Sequence, residues 1–518
     1  MMEPQAAADG NFFGPARLQF EALATDLQSS KMAELTHSEV ESLLDGRGTE
    51  LLRLMYQGYV DSQGSGDVAD EVRGTDGGAR THRRVAQRNL TSVFGRVRVT
   101  RMGCGAREAS PLYPLDGELN LPDDLYSLGT RRRVAMEAAK VSFDETVETV
   151  KRTTGARVPK RQAQELVVRS AQDFEAYYEQ AERAAKVAEE TGPILVLTAD
   201  GKGVVMRKED LREATRKAAG ARTHKLQTRL TKGEKRNAKR MAEVAAVYTI
   251  DRHERTAEDV IGSTAPVQEA RPARPRPQHK RVWASLKKDV EEVIDDAFAE
   301  AERRDPERKK EWVALVDGND TQLEMLARGA ITSNVALTII VDFIHVLEYL
   351  WKAGHALLGE GRPETERWVQ EHALAILKGK ASLVAAGMRR SATKRRFAAK
   401  DRVAIDTCAD YLLKYSAYLR YDYCLARGYP IATGVIEGAC RHLVKDRMDI
   451  TGARWRLERA EAILQLRALR SSGDFDDYWR FHEAQEHQRN HLAHYRRRVI
   501  PQTIRPSRPR RPKLTLVP

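Results

Sequence analysis

Three carboxylates stand where their types and settings suit chemistry: Asp200 in ILVLTADGKGVV, Asp317 in EWVALVDGND and Glu437 in IATGVIEGACRHLVKDRM. Each aspartate closes an apolar run and precedes glycine, the pattern of a buried strand ending at a loop, and the glutamate lies on a helical pattern. Hard divalent cations take oxygen ligands. Two of them about 4 Å apart, bridged by carboxylates, activate a water or a 3′-hydroxyl and steady the leaving oxygen of a phosphodiester. A carboxylate at the end of a central strand is costly unless paired or metal-bound. The plainer role for each aspartate is to cap the helix or turn that follows. Gly201 and Gly318 would permit a sharp turn and close approach of a ligand to the backbone.

Around Glu437, the residues Val435, Cys440 and Leu443 are placed to face a core, while Arg441 at i+4 and Lys445 at i+8, followed by Arg447, would align phosphates with the metals. An ordinary surface pair between Glu437 and Arg441 is the alternative, worth a few tenths of a kcal/mol. A second polar pair, Asp342 and His345 in VDFIH, closes another apolar strand. It offers either a further metal or phosphate contact, with Asp342 an alternative second acid to Asp317, or a histidine held by a carboxylate to tie helix to sheet.

The elements that must hold these residues divide the chain. Residues 1–86 read as helices (FEALATDLQ, HSEVESLLDGRGTELLRLMYQGYV) and a Gly-rich loop, and 87–127 as a hairpin turning at Phe94-Gly95 followed by a turn-rich segment. Residues 128–190 read as short helices. Ser142 with Glu145 predicts a capping box, Gly155 a helix stop and Pro159 a helix start. Two helices joined by TGARV have the layout of a helix-turn-helix, which would set Lys160, Arg161, Gln162 and Gln164 at the start of a recognition helix. A plain helical hairpin with a solvated basic face fits equally well. Residues 191–345 and 434–490 are expected to form the catalytic α/β domain, interrupted by a basic stretch after Val205 and a Pro/Arg-rich linker over STAPVQEARPARPRPQHKR. An all-helical insertion spans 346–433, and a basic, Pro-rich tail over 491–518 is too poor in apolar residues to pack.

The 518 residues are 41 % hydrophobic, enough for two to four cored domains, and 87 Lys and Arg against 74 Asp and Glu leave a net charge of +13. That balance favours a polyanionic partner over none. The four cysteines (Cys104, Cys408, Cys424, Cys440) form no C-x-x-C pair, which argues against a disulfide framework or a zinc ribbon. No secretory leader pattern and no run of about 18 apolar residues is present, so a cytoplasmic protein without a membrane span is expected.

The ordered series TADGKGV, GEKRNAKRMAEVAAVYTIDRHERTAEDVIG, KRVWASL, LVDGND, DFIHVLEYLW and GVIEGACRHLVKDRMDITGARW resembles the ISKra-type insertion-sequence transposases of bacteria, a DDE family, over residues 90–490 or so. The resemblance implies a ribonuclease-H-like core, a mixed sheet flanked by helices, in which Asp200, Asp317 and Glu437 hold two Mg²⁺ (or Mn²⁺) ions. Asp342-Phe-Ile-His345 looks like the C-x-x-H of related Mutator-type transposases, with Asp in place of Cys, which adds Asp342 as a possible metal ligand. Gly452, Arg454 and Trp455 end the last block; Trp455 would stack on an unpaired base or lie in the core. The implied activity is cleavage at terminal inverted repeats and strand transfer into target DNA, by a dimer or larger assembly whose N-terminal helices read the ends. A non-cutting repressor and a structure-specific nuclease that cuts without joining are the alternatives.

Overall fold

The computed structural model describes residues 11–183, 191–220, 238–262 and 273–506, in two compact units: 1–174 with 475–518, and 175–474. The middle of the basic stretch after Val205, most of the Pro/Arg-rich linker and the last twelve residues of the tail lie outside the described residues.

Unit 1–174 with 475–518 holds a three-stranded antiparallel sheet, β1 (His82–Ser92), β2 (Gly95–Ala106) and β3 (Ala109–Leu112), turning at Phe94-Gly95 as expected. Strand β1 starts five residues before the expected boundary at 87. Helix His37–Ser62 is held at its start by a Thr36–Glu39 capping box and buries Val60 against Leu90, Val97, Val99, Leu115 and Leu121. Helices Phe143–Thr153 and Lys160–Ala171 form as read, but Ser142 makes only half of its box, its Oγ accepting from Glu145 N (3.2 Å). Gly155 is not a helix stop in the left-handed region; it is small because a Cβ there would lie 2.2 Å from Phe94 O.

Unit 175–474 is built on five strands: β4 (Ile194–Val205), β5 (Lys239–Ile250), β6 (Gln278–Ser285), β7 (Glu311–Val316) and β8 (Leu337–Val341), in the order β6-β5-β4-β7-β8. The first three form an antiparallel meander, whereas β7 and β8 run parallel to β4. Helices Val290–Arg304 and Asp320–Thr332 make the crossovers that parallel pairing requires. This mixed α/β sheet with helical connections is consistent with the ribonuclease-H-like core expected from the sequence. β5 is buried along most of its length, from Ala242 to Ile250 apart from Glu243. The free edge of β6 is closed by helix Leu457–Ser472, whose Glu461 accepts from Leu286 N (2.7 Å) and Ser285 Oγ (2.6 Å). After β8 the chain is helical, with helices Phe343–Leu358, Pro363–Leu377, Ala381–Lys394 and Ala399–Lys414.

Three expectations need correction in this unit. β4 does not end at Asp200 but runs on to Val205, because β5 pairs with it throughout; only its parallel partner β7 stops early, the last pair being Thr198–Leu315. Gly201 therefore sits in the strand, not at a turn, whereas Gly318 does turn the chain, with φ of +90°. The Pro/Arg-rich linker gives way at Gln278 to β6, whose apolar half VWAS outweighs the preceding basic residues.

The catalytic domain was expected to reach residue 490, yet helix Phe475–Asn490 belongs with the N-terminal helices. Arg131, fully buried, donates to Glu486 on that helix (2.6 Å) and to Asp124 (3.0 Å), and His482 pairs with Asp173 (2.7 Å). Buried charges demand such partners, and these were invisible at a separation of hundreds of residues. Nor is the tail unpacked from 491: Tyr495 lies 2 % exposed among Val68, Val72, Cys104 and Leu112, and Glu118 accepts from Thr503 and Arg505.

Candidate metal centre

The parallel register decides which acids meet. Two places beyond the Thr198–Leu315 pair, Asp200 is level with Asp317, and one place beyond Val316–Val341, Asp317 is level with Asp342. Three aspartates thus form one row across three neighbouring parallel strands, inside β4 and just past the ends of β7 and β8, spaced by roughly 4.8 Å per strand. Asp342 N donates to Val316 O at 2.8 Å, which fixes the second and third strand ends together. Asp200 and Asp317 feel each other: burial, and then the Asp200 charge, push the Asp317 carboxyl above the usual range, opposed by the Asn319 N–H (3.0 Å) and by His345.

A helix from far along the chain lies over the row. Thr433, just before helix Gly434–Ala439, does not cap that helix; its Oγ1 donates to Asp342 Oδ2 and lies 3.5 Å from Glu437 Oε1. At the other end of the row, Cys440 Sγ donates to Asp200 Oδ2 (3.2 Å), while Gly201 N donates to Asp200 Oδ1 (2.6 Å). Burial, then the Asp200 charge, raise the Cys440 thiol, which keeps it a neutral donor; Lys202, two places along β4, offsets part of that rise. Ligand atoms of Asp342, His345 and Glu437 all lie within 4.8 Å of one another. Asp342 itself is fully buried and caps helix Phe343–Leu358 through Ile344 N (2.9 Å), so it takes on the cap role and stands in the acid row together. Helix Ala399–Lys414 buttresses the row: Tyr411 Oη donates to Asp317 O (2.9 Å) and stacks on Tyr349 at 4.2 Å.

Oxygen donors with a single imidazole suit Mg²⁺ or Mn²⁺ better than a soft metal, and the three ligand atoms are close enough to share one ion. Asp200, Asp317, Asp342, His345 and Glu437 are therefore gathered in one place.

The expected DNA-contacting residues divide. Arg441, Lys445 and Arg454 are exposed. Residues Cys440–Lys445 form a π-helical segment, so the i+4 and i+8 spacing from Glu437 does not put these side chains on one straight stripe. Arg447 and Trp455 are buried: the guanidinium lies 4.9 Å from the indole centroid, and Trp455 Nε1 donates to Met448 O (3.0 Å). Trp455 is a core residue, not a base-stacking platform, because the backbone beside it pairs with the far end of β4 (Trp455 N to Val205 O, 3.0 Å). In the other unit, Lys160, Arg161, Gln162 and Gln164 lie on the first turn and a half of helix Lys160–Ala171, the first three bonded to Asp144 (2.6 Å) and Glu165 (3.2 and 3.0 Å).

Thr433 and Cys440 were missed as partners of the acids. The Thr-Gly before a helical run was a legible start signal, but nothing local says that its hydroxyl turns away to Asp342. Among the described residues no helix is long and apolar enough to cross a membrane. No family model matches the chain, and no curated protein does. Among solved structures it is similar to a Drosophila P element transposase strand transfer complex, at 8 % identity over 67 % of this chain and 79 % of that one, with a TM-score of 0.22.

Proposed function

We propose that the chain is a metal-dependent DNA transposase that cuts the ends of a mobile element and joins them to target DNA. The observation that carries this reading is the row Asp200, Asp317, Asp342 across three neighbouring parallel strands, within β4 and just past the ends of β7 and β8, with Glu437 and His345 brought onto it. In this reading Asp200 and Asp317 would hold one divalent ion, and Glu437 with Asp342 and His345 would hold a second. Bound there, two such ions would lower the pKa of an attacking water or 3′-hydroxyl and neutralise charge at the phosphate.

The chain's own residues prepare the site. Cys440 and Gly201 fix both oxygens of Asp200, and Thr433 fixes Asp342 and stands beside Glu437. Asp317, pressed by Asp200 and half shut off from water, gains most from a cation. Lys202 on the same face as Asp200 is placed to meet a phosphate oxygen. Recognition of terminal inverted repeats is assigned to the helices around Lys160 and Arg161, and holding two ends at once calls for a dimer or larger assembly.

The test is incubation of the full chain with Mg²⁺ or Mn²⁺ and DNA carrying the gene's flanking ends, read on sequencing gels. Cuts at the ends and joined products support the transposase; cuts without joining leave a nuclease, and binding without cuts leaves a repressor. Within that assay, Cys440→Ala is expected to lower cleavage and metal affinity by about 10- to 100-fold, the usual cost of losing a group that orients a metal ligand. Cys440→Ser, which keeps a donor toward Asp200 Oδ2, is expected to recover most of the loss; equal loss in both would make the thiol a packing residue only.

A further inference from the structure

Unit 175–474 contains a cavity of about 260 Å³ away from the acid row but continuous with its supports. Phe343 and Ile344, which follow Asp342 directly, and Ile431 and Ala432, which precede Thr433, line one wall. Val260 and Pro275 extend the apolar surface, and His253, Arg255 and Arg274 add a cationic wall.

Neither guanidinium is ion-paired among the described residues. Arg255 donates to two carbonyl oxygens, of His253 (2.7 Å) and Tyr429 (3.2 Å), which satisfy its N–H groups without neutralising it. Arg274 makes no hydrogen bond or ion pair among the described residues. Two aspartates also line the cavity and keep their charge, since these partners are neutral: Asp259 accepts from Thr256 N and Oγ1 (2.8 Å each), and Asp251 from Gln278 Nε2 (2.9 Å). The cations feel one another, since burial and then Arg274 hold the Arg255 guanidinium below its ordinary value, and burial, Arg255 and Arg274 together lower His253. Guanidinium pairs of this kind match the fork geometry of phosphate oxygens, and an apolar floor beside them suits a deoxyribose or an unstacked base.

We propose that this cavity seats a phosphodiester of the DNA strand running past the acid row, with Arg255 and Arg274 on its non-bridging oxygens and the sugar against Ile344. The inference rests on the transposase reading for the identity of the polymer. Its test is therefore run without metal: binding of a fluorescein-labelled oligonucleotide to the full chain in EDTA, across a salt series, for the unmodified protein, Arg274→Gln, Arg255→Lys and, as a control, the exposed Arg390→Gln. Removing one arginine from a bound phosphate is expected to flatten the slope of log affinity against log salt by about 0.7 for single strands and about 0.9 for duplex. Arg274→Gln should show this with its fold intact, because it gives up no bond among the described residues, and Arg390→Gln should not. Unchanged slopes for Arg274→Gln, or an equal flattening in the control, overturn the proposal. So does calorimetric binding of inorganic phosphate that disappears in Arg274→Gln while the DNA slope stays the same, which would make the cavity a site for a free anion. A flattened slope in a protein that never cuts DNA would leave the cavity assignment standing and remove the enzyme reading; cutting with unchanged slopes would do the reverse.

Discussion

Asp200→Asn and Asp317→Asn are each expected to lower Mg²⁺-dependent strand cleavage by about a thousandfold or more while DNA binding persists, since metal stabilisation of the transition state is worth several kcal/mol and each 1.36 kcal/mol is tenfold. Asparagine keeps the shape and the acceptor oxygen but removes the charge that holds the cation. The same substitution has an opposite effect on the metal-free protein. Asp317 stands half-buried next to the Asp200 charge, and its carboxyl is raised by burial first and by Asp200 second. A raised acid opposes folding once it is ionised, so Asp317→Asn is expected to increase the melting temperature at neutral pH without metal. Loss of cleavage with a gain in stability marks a functional carboxylate; loss of both would mark a structural one. Glu437→Gln is expected to lose cleavage in the same way while DNA binding persists. Asp342→Asn separates two roles of one side chain: it keeps the Oδ1 acceptor that caps Ile344 N, so the helix survives, and cleavage is lost only where the Asp342 charge holds metal. Loss in Asp342→Asn with activity retained in Asp317→Asn would transfer the second ligand position to Asp342.

The sequence made the acids themselves legible because each sits where composition changes abruptly. An apolar run that stops at Asp-Gly is a local signal, and EWVALV and LTIIV did become β7 and β8, with Asp317 and Asp342 directly after them. What no local pattern contains is the register. That Asp200, Asp317 and Asp342 share one row follows from the pairing of three strands spread over more than a hundred residues, and it depends on β7 stopping where β4 does not. Periodicity misled at two places for a definable reason. The π-helical turn at Cys440–Lys445 breaks the 3.6-residue repeat on which the Glu437, Arg441, Lys445 stripe relied. Arg447 and Trp455, polar or amphipathic by type, are buried against each other, because the chain after the helix folds back on the far end of β4. The helix Phe475–Asn490 looked like a continuation of the catalytic domain, since its partners Arg131 and Asp173 lie at the other end of the chain.

Glu300→Ala is expected to be the most destabilising single change in unit 175–474, by about 3–5 kcal/mol, the range for removing one partner of a buried charge network. Glu300 on helix Val290–Arg304 is 1 % exposed and accepts from Arg281 of β6 (2.7 Å), from Arg304 (2.6 Å) and from Arg303 (2.8 Å). Arg281 is itself buried, with its guanidinium 3.5 Å from the Tyr178 ring centroid. Without Glu300, Arg281 and Arg304 would remain in the interior with no carboxylate between them, and β6 would lose its tie to the helix that supports it. Burial alone would raise the Glu300 carboxyl, but Arg281, Arg304 and Arg303 outweigh it and hold the group at about 2 against an ordinary 4.5. For an acid with a depressed folded-state pKa, the stabilisation is complete above the unfolded value and is lost as pH falls. The window is therefore from about 4.5 down to about 2. Urea titrations across that range should show the unmodified protein losing stability steeply on acidification, while Glu300→Gln, isosteric but uncharged, starts lower at neutral pH and follows a shallower slope. Parallel curves for the two proteins would mean that the three arginines are satisfied elsewhere. A variant that folds poorly yet binds metal when folded would separate this network from the acid row, which stands on the other strands of the same sheet.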